Sequence, residues 1–372
     1  MELPQLNKFS GFRKCFSKTN DLLVTGKRLR YFIRYEGMNK LLSILLIFVS
    51  SCVNSQQKTG EPVEGIPVFA YHRFGDDRFP STNIDMKVFK DQLNYLKENN
   101  YKVLTLDEAI EAIENENVKP KSVVLTVDDG YKSFYENAFP LLQEYGYKVT
   151  IFVNTSYVGG NDFMDWDELR EISKAGMEIG NHSHEHPHFL NKQNPAKSFR
   201  EDVLKAQSLF EKHLGYFPGA FSYPYGEYDR TLIEEAREMG FYAATAQRSG
   251  VMSPESTFAI PRFPMGGPFA TIDGFKRKLK FLPLRIRVHS PQSTTAIAEE
   301  FVFSVQDEVF EGSVQCFIDG EKRKLTRNGN NFETAIPESS QRRQLLTVTA
   351  RHKKSNLYGW SSFLLINTNN RE

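Results

Sequence analysis

The chain has 372 residues, 40% of them hydrophobic and 25% charged, so it is long enough for one large and one small globular domain. Its formal net charge is +1, with acidic and basic residues interspersed, and this balance argues against a nucleic-acid partner. The three cysteines, Cys15, Cys52 and Cys316, are too few and too scattered for a disulfide framework or a cysteine-rich zinc site.

The N-terminal region contains a signal-like segment that starts at Met38. Lys40 provides a positive flank, and the apolar run from Leu41 to Val49 is too short to span a bilayer but suits a signal-peptide core. The run ends in Val-Ser-Ser-Cys, which is similar to a bacterial lipobox with Cys52 as the lipidated residue. The alternative is an ordinary secretory signal in which Cys52 is incidental.

The segments on either side of this signal complete the N-terminal prediction. Residues 1–37 are basic and unpatterned, so they are interpreted as an extension that is not translated or, alternatively, as a basic cytoplasmic extension. Residues 38–52 are then the lipoprotein-type signal, and residues 53–65 are a polar tether. We therefore expect a protein of the bacterial cell envelope, held outside the cytoplasm by a lipid on Cys52.

From Ile66 onwards the pattern alternates between strands and helices. The first predicted strand, Ile66 to Tyr71, ends at His72, which either faces a site or is a structural histidine. Next come a helix from Met86 to Asn99 with Asp85 as its N-cap, a short strand, and a helix that begins with a Thr105–Glu108 capping box.

The run Ser122 to Val127 is apolar and β-branched without polar alternation, which predicts a strand buried on both faces of a parallel sheet. It ends in Asp128, Asp129 and Gly130. Two adjacent carboxylates repel each other, so a bound cation must offset the repulsion or one carboxylate must be able to hold a proton. The alternative is a simple Asp-Asp-Gly turn.

Four of the eight histidines in the chain lie within the sequence NHSHEHPHF, at positions 182, 184, 186 and 188. His182 and His186 are four residues apart, so one helical turn or a tight loop can point both in the same direction. Two imidazoles and one carboxylate around a divalent ion leave positions for water and substrate. The cluster therefore predicts a metal site, against the alternative of a solvated polar loop.

The remaining elements continue the alternation. Asp165 and Glu168 have capping-box spacing, and Asn194-Pro195 begins a long helix that ends near Gly215. The later elements are strands at Ala220 to Tyr223, Tyr242 to Thr245 and Phe258 to Phe263, and helices at Asp229 to Met239 and Thr271 to Leu282.

The tail from Leu284 shows no helical pattern. Instead, apolar residues such as Phe301, Phe303 and Val305 alternate with other residues, and there are two hairpin signals, one with Asp-Gly and one with Asn-Gly. The alternation of strands and helices thus predicts a β/α barrel over residues 66–283, with all its strands parallel, followed by a small antiparallel β-sandwich over residues 284–372. Both chemical motifs follow strands, so they should meet at the carboxyl face of the barrel. Trp360 is interpreted as a core residue of the sandwich rather than a sugar platform.

Three motifs, TVDDGYKS, HSHEH and FSYPYGEYD, together resemble the polysaccharide deacetylases, the NodB-homology group of carbohydrate esterase family four. The resemblance covers roughly residues 66–282, and it implies that the barrel is of the distorted (β/α)7 type. It implies that Asp128 is the catalytic base, that Asp129, His182 and His186 bind the metal, and that Tyr225 offers its backbone N–H to the oxyanion. Pro224, Tyr225 and Arg262 are the predicted substrate-binding residues.

Two features depart from the family pattern. The third motif usually begins with an arginine that orients the base, whereas this chain has Ser222, and Arg262 at the end of a later strand is a candidate replacement. The late histidine that supplies the general acid has no clear counterpart. His289 follows the strand-like run LRIRV, which is expected to open the β-domain, so the remaining candidates are His72, His184 and His188.

The predicted function is a metal-dependent hydrolase that removes acetyl groups from an N-acetylated, N-acetylglucosamine-type polysaccharide. The ligand set suits Zn²⁺ first, with Co²⁺, Ni²⁺ or Fe²⁺ as alternatives. Two other functions stay open: an O-acetyl esterase acting on a xylan-like glycan, and a non-catalytic glycan-binding protein of the cell surface. The polysaccharide is the expected partner, and no protein partner is predicted.

Overall fold

A computed structural model describes residues 65–310 and 313–370 of the chain. The predicted signal segment, the tether as far as residue 64 and Cys52 lie outside the described residues. Within the described ranges, no helix combines the length and apolarity needed to cross a bilayer.

The strands between residues 66 and 264 form a nine-stranded sheet that curls into a half-barrel with helices around it, as expected for the predicted distorted (β/α) barrel. Seven strands form its main path, in the order Val251–Met252, Ile66–Tyr71, Ser122–Val127, Thr150–Val153, Glu178–Asn181, Ala220–Ser222 and Ala243–Thr245. Lys102–Leu104 pairs with Ser122–Val127, and Phe263–Pro264 pairs with Ile66–Tyr71.

Helices follow most of these strands, and their ends are fixed by local capping. Asp85 accepts from the backbone N–H of Val88, and capping boxes at Thr105 and Asp165 begin two further helices. The α-helices are Met86–Glu98, Leu106–Glu114, Phe139–Tyr145, Trp166–Lys174, Pro195–Leu214, Arg230–Glu238 and Ile272–Lys278. A π-helical turn, Phe134–Ala138, precedes the third of these.

Two further sheets form a sandwich at the C-terminal end. The five-stranded sheet has the order Leu282–Pro283, Tyr358–Ile366, Arg343–Arg351, Val314–Ile318 and Glu321–Arg323. The four-stranded sheet has the order Ile286–Ser290, Glu300–Val305, Asn331–Ala335 and Thr326–Asn328. Phe301 and Phe303 from one sheet and Cys316, Leu346 and Val348 from the other share one buried apolar core. Both predicted hairpins are present.

The prediction that the barrel sheet is entirely parallel was wrong at one edge. Val251–Met252 pairs antiparallel with the start of Ile66–Tyr71, and all the other pairs of this sheet are parallel. Two residues are too few to produce a readable pattern of hydrophobicity. The sandwich likewise contains one parallel pair, between Leu282–Pro283 and Tyr358–Ile366.

Two other elements differ from their predictions, and proline contributes to both differences. The predicted strand from Phe258 to Phe263 is reduced to a bridge at Ile260 and the strand Phe263–Pro264, and Pro261 between them lacks the N–H that a ladder needs. The predicted helix from Thr271 ends at Lys278. Pro283 favours an extended Leu282, which joins the sandwich instead.

Candidate active site

The predicted site residues lie at the carboxyl edge of the parallel strands. Ser122–Val127 ends directly before Asp128, and Glu178–Asn181 ends directly before His182. Ile66–Tyr71 ends before His72 in the same way. Because these strands are parallel, their ends meet at one side of the half-barrel, where functional groups of such sheets gather.

Asp129, His182 and His186 form one cluster. The Asp129 Oδ1 atom lies 3.5 Å from His182 Nε2 and 3.8 Å from His186 Nε2. The two Nε2 atoms are 3.1 Å apart. Metal–nitrogen bonds of about 2.0–2.1 Å in a tetrahedral zinc site place ligand atoms about 3.3 Å from one another. The donor types and their spacing therefore fit a divalent cation.

The tautomer of His182 follows from its second hydrogen bond. Its Nδ1 lies 2.8 Å from the carbonyl oxygen of Ser222, which can only accept, so Nδ1 carries the proton. The Nε2 lone pair then points into the cluster, as it does in metal-binding histidines fixed by a backbone carbonyl. His186 is also suited to ligation, because burial and then the neighbouring His182 lower its pKa to about 3 and keep it neutral.

The backbone at the cluster adopts unusual conformations. Asp129, Ser183 and His186 all have φ between 53° and 73°, in the left-handed region that L-residues avoid. Hydrogen bonds hold the histidine loop (residues 182–188) in this shape: Asn181 Oδ1 accepts from Ser183 N, and Ser183 Oγ accepts from His186 N. Such strain persists where surrounding contacts impose it, which is common at functional sites.

Asp128 is fully buried and forms a two-pronged ion pair with Arg262. Each carboxylate oxygen accepts from one guanidinium nitrogen at 2.7 Å. Burial would raise the pKa of Asp128, but the positive charge of Arg262 and the nearby His182 and His72 hold it well below its usual range. Asp128 is therefore an ionised carboxylate with a fixed orientation.

Arg262 also lies close to Ser222, the position at which the third motif usually has an arginine. Its Nη2 lies 3.3 Å from Ser222 Oγ, and its Nη1 lies 3.1 Å from Thr126 Oγ1. The guanidinium from a later part of the chain thus lies beside the position that the sequence motif left as serine. The sequence identified Arg262 only as a candidate, since the pair spans 134 positions.

The three candidate histidines for the general acid, and His289, which was assigned to the β-domain, lie in different surroundings. His72 Nε2 is 4.0 Å from Asp128 Oδ2, and its side chain is partly exposed at the site. His184 contacts Thr155 Oγ1 at 2.8 Å, and His289 contacts Ser304 Oγ in the sandwich. His188 lies against Tyr225. Of these candidates, His72 contacts the predicted base.

Residues 223–228, called the tyrosine loop below, lie beside the cluster. Tyr225 has φ 57° and ψ 8°, and its ring centroid is 4.5 Å from that of His186 and 3.7 Å from that of His188. Pro224 is buried beneath the turn. A Cβ atom on Gly226 would lie 2.1 Å from the backbone nitrogen of Gln247, so this position requires glycine.

Two arginines near the site were not identified from the sequence. Arg342 pairs with the buried Glu227 of the tyrosine loop, and Arg343 donates to the carbonyl oxygen of Tyr225. Both arginines lie in a polar stretch more than a hundred residues away along the chain, and no spacing or periodicity connects them to the motif. Trp360 packs against Phe263 and Phe281, as a core residue would.

Comparison with known proteins gives one consistent result. The sequence model of a family described as polysaccharide deacetylase matches residues 115–244. The poly-β-1,6-N-acetyl-D-glucosamine N-deacetylase of Staphylococcus epidermidis (strain RP62A) is 28% identical over 202 residues, which is 50% of this chain and 70% of that protein. The protein of the same name from Staphylococcus aureus (strain MRSA252) is 26% identical over 52% of this chain and 71% of its own length.

Solved structures show the same similarity. IcaB from Ammonifex degensii superposes with a TM-score of 0.52 at 28% identity, covering 58% of this chain and 96% of that one. The Streptococcus pyogenes deacetylase PplD, solved with acetate, gives a TM-score of 0.54 at 22% identity and covers 59% and 99% of the two chains. This second likeness shows the fold alone.

Proposed function

Since this chain belongs to the polysaccharide deacetylase family and is an enzyme of that family, we propose that it hydrolyses N-acetyl groups of an N-acetylglucosamine-type polysaccharide in a reaction that needs a divalent cation. The observation that carries the proposal is the convergence of Asp129, His182 and His186 next to the fixed carboxylate of Asp128. The names of the staphylococcal relatives make a β-1,6-linked polymer the first substrate to test.

Asp129, His182 and His186 are the residues that would hold the cation. When bound, such an ion lowers the pKa of a coordinated water and polarises the acetyl carbonyl. Asp128 accepts the proton of the attacking water. Arg262 keeps the Asp128 carboxylate ionised before this proton transfer and holds its orientation. The backbone N–H of Tyr225 is the proposed donor to the tetrahedral oxyanion.

The leaving amine also needs a proton, and we assign that role to His72. Its ring nitrogen lies near Asp128, at the strand end on the opposite side of the base from the histidine loop. Among the three candidates, His72 is the one whose side chain lies beside the proposed base, at 4.0 Å from Asp128 Oδ2.

Aromatic side chains beside the cluster support a glycan substrate. Tyr131, which follows the Asp-Asp-Gly motif, lies 4.9 Å from Phe163 between ring centroids, and Phe163 lies 4.9 Å from Tyr157. Tyr157 is 46% exposed. Flat apolar rings at the edge of a polar site are suited to the apolar faces of sugar rings.

Acetate release from β-1,6-linked N-acetylglucosamine oligomers tests the proposal. The parent protein should release acetate after loading with Zn²⁺, lose this activity on chelation, and regain it with Zn²⁺, Co²⁺, Ni²⁺ or Fe²⁺. Asp128→Asn should bind the same amount of metal and release no acetate. A metal-loaded parent that releases none from any N-acetylated glycan would contradict the proposal.

The O-acetyl esterase alternative uses the same groups, and an acetylated xylan assayed in parallel separates the two. Activity on the ester alone would favour the esterase. The non-catalytic alternative was suggested by Ser222 and by the missing late histidine. The pairing of Arg262 with Asp128 removes the first of these reasons.

We also propose that a lipid on Cys52 anchors the protein outside the cytoplasm. This proposal rests on the sequence pattern of residues 38–52 alone. In a bacterial host, the protein should incorporate labelled fatty acid and fractionate with membranes, whereas Cys52→Ala should do neither. Membrane-independent secretion of the unaltered protein would favour the ordinary secretory signal.

A further inference from the structure

The tyrosine loop is held in a conformation that its own sequence does not favour. Tyr225 lies in the left-handed region at φ 57°, where a tyrosine is strained. Its ring stacks on His188 with an interplanar angle of 12° and also contacts the ring of His186. Contacts from outside the loop must therefore maintain the position of Tyr225 beside the proposed ligands.

Arg342 holds the side chains that lie next to Tyr225. It directly precedes the strand Arg343–Arg351 of the sandwich. Its Nε and Nη2 donate to the two carboxylate oxygens of Glu227 at 2.6 and 2.7 Å, and both side chains are 2% exposed. The Oε2 atom of Glu227 is also 3.1 Å from His188 Nδ1. The ring that stacks on Tyr225 is thus connected through Glu227 to the sandwich.

Arg343 holds the backbone of the tyrosine loop. Its Nη1 donates to the carbonyl oxygen of Tyr225 at 2.6 Å and to Gln247 Oε1 at 3.1 Å. Thr294, also in the C-terminal region, donates its hydroxyl to the carbonyl oxygen of Tyr228. Three side chains from the C-terminal region therefore hold both ends of the loop.

We propose that Arg342 and Arg343 are positioning residues for the deacetylation site, through which the C-terminal sandwich takes part in catalysis. The inference rests on the proposed function. Neither arginine contacts the predicted ligands or Asp128 in the interactions described above; each acts through Glu227 and His188 or through the Tyr225 carbonyl. Their effect is to keep the Tyr225 peptide group where the oxyanion develops, and a donor there contributes only when it is correctly aimed.

Single substitutions with a matched control test this role. Arg342→Gln and Arg343→Gln remove the two attachments, and Arg351→Gln changes the exposed arginine at the other end of the same strand. We expect kcat on N-acetylglucosamine oligomers to fall about 10–100-fold in the first two variants, as when groups that orient an active site are removed. KM should change less than kcat, zinc stoichiometry should stay at the parent value, and Arg351→Gln should match the parent.

Comparison of the conservative variant Arg343→Lys with Arg343→Gln separates a positioning role from a general loss of folding. Arg343→Lys can still donate to the Tyr225 carbonyl oxygen, so it should recover part of the kcat that Arg343→Gln loses. Assays are run well below the unfolding midpoint of each variant. A fall in kcat that follows the folded fraction, or that follows lost zinc, would overturn the inference.

Hydrogen exchange gives a second measurement that does not require turnover. Amides in a peptide covering residues 223–229 should exchange faster in Arg342→Gln and Arg343→Gln than in the parent or in Arg351→Gln. Unchanged exchange together with parent-like kcat would refute the positioning role. If the parent released no acetate, the proposed function would fail, and the exchange rates alone would decide whether the arginines hold the loop.

Discussion

At the scale of single residues, the most constrained group in the site is the buried pair of Asp128 and Arg262. Both side chains are fully buried, so each charge depends on the other for solvation. The two parallel hydrogen bonds also fix the plane of the carboxylate, which a single ammonium group cannot do. The pair therefore serves both the stability of the fold and the orientation of the proposed base.

Arg262→Lys should keep the positive charge but lose the pair of parallel hydrogen bonds to Asp128. We expect kcat/KM to fall about 10–100-fold with zinc binding retained. Arg262→Gln leaves Asp128 buried without its partner and should lower the free energy of unfolding by roughly 3–5 kcal/mol. Acetate release and chemical denaturation measure the two effects.

A relocated arginine provides the control for this prediction. Ser222 Oγ lies 3.3 Å from Arg262 Nη2, so the double variant Ser222→Arg with Arg262→Ser moves the guanidinium to the position that the third motif usually provides. This variant should recover activity relative to Arg262→Ser alone. Full activity of Arg262→Ser would show that the base needs no arginine.

His72→Gln tests the proposed general acid. Loss of a positioned proton donor should lower kcat about a hundredfold or more, because the amine then leaves without assistance. His184→Gln is the matched control, since His184 contacts Thr155 rather than Asp128. Equal activity of the two variants would exclude His72 from proton transfer. A substrate with a better leaving group should lose less activity in His72→Gln.

At the scale of elements, the segment after the first strand supports the site from one side. Asp76 accepts hydrogen bonds from Arg73 at 2.7 Å and from Arg78 at 2.8 and 3.0 Å. The guanidinium of Arg73 in turn lies 3.6 Å from the ring centroid of Tyr131 and 3.7 Å from that of Phe79. Asp76 therefore orients Arg73, which packs on Tyr131 beside the cluster of Asp129, His182 and His186.

This arrangement predicts a particular dependence of stability on pH. The hydrogen bond from Arg78 and, more weakly, the one from Arg73 lower the pKa of Asp76, against the opposing effect of burial. The unfolded chain then binds more protons than the folded chain below about pH 4, so the contribution of Asp76 is present above that pH and is lost on acidification.

We expect the difference in unfolding free energy between the parent and Asp76→Asn to stay nearly constant from pH 7 to about 5 and to narrow as the pH falls through and below about 4. Asp91→Asn is the control, because Asp91 pairs with Lys87 on an exposed helix face and such pairs contribute little. Denaturation at several pH values measures both differences. A constant difference for Asp76→Asn would contradict the prediction.

The ends of helices and strands could be predicted from the sequence where residues close by in the chain determine them. Thr105, Asp165 and Asn194 each begin a helix where the sequence placed it, since a cap acts within three residues. The strand before Asp128 was equally readable, because it is apolar on both faces. The misplaced strand near Phe263 shows the opposite case, in which hydrophobicity suggested a continuous strand that Pro261 interrupts.

At the scale of the whole molecule, the sequence did not reveal what connects the sandwich to the barrel. The grouping of Asp129, His182 and His186 was predicted, since the motif residues follow parallel strands. The link from Arg342 to Glu227 joins positions 115 residues apart, and nothing local marks either as a partner. Long-range polar pairs become visible only when the fold brings them together.

The contacts between barrel and sandwich predict a single cooperative unfolding transition. Arg248 Nη1 donates to the Ser362 carbonyl oxygen at 2.9 Å, and Trp360 Nε1 donates to Ser249 Oγ at 2.9 Å. The chain has two tryptophans, Trp166 in a barrel helix and Trp360 in the sandwich. In the single-tryptophan variants Trp360→Phe and Trp166→Phe, the remaining fluorophore reports on the barrel and on the contact between sandwich and barrel, respectively.

In each variant, tryptophan fluorescence and far-ultraviolet circular dichroism should give the same unfolding midpoint, as expected for one cooperative unit. Because Trp360→Phe removes the hydrogen bond to Ser249, midpoints are compared between probes within a variant and not between variants. Two separated transitions would show that the barrel and the sandwich unfold independently.

The position of Arg342 and Arg343 along the chain has a consequence for biosynthesis. A ribosome has already made every strand of the half-barrel, together with Asp128 and the three proposed ligands, before it adds these two arginines. A nascent or prematurely terminated chain that ends before residue 342 lacks the groups that hold Tyr225. On this view, full hydrolytic competence arises only after the last sandwich strands have been synthesised, which would leave truncated products with little activity towards the glycan.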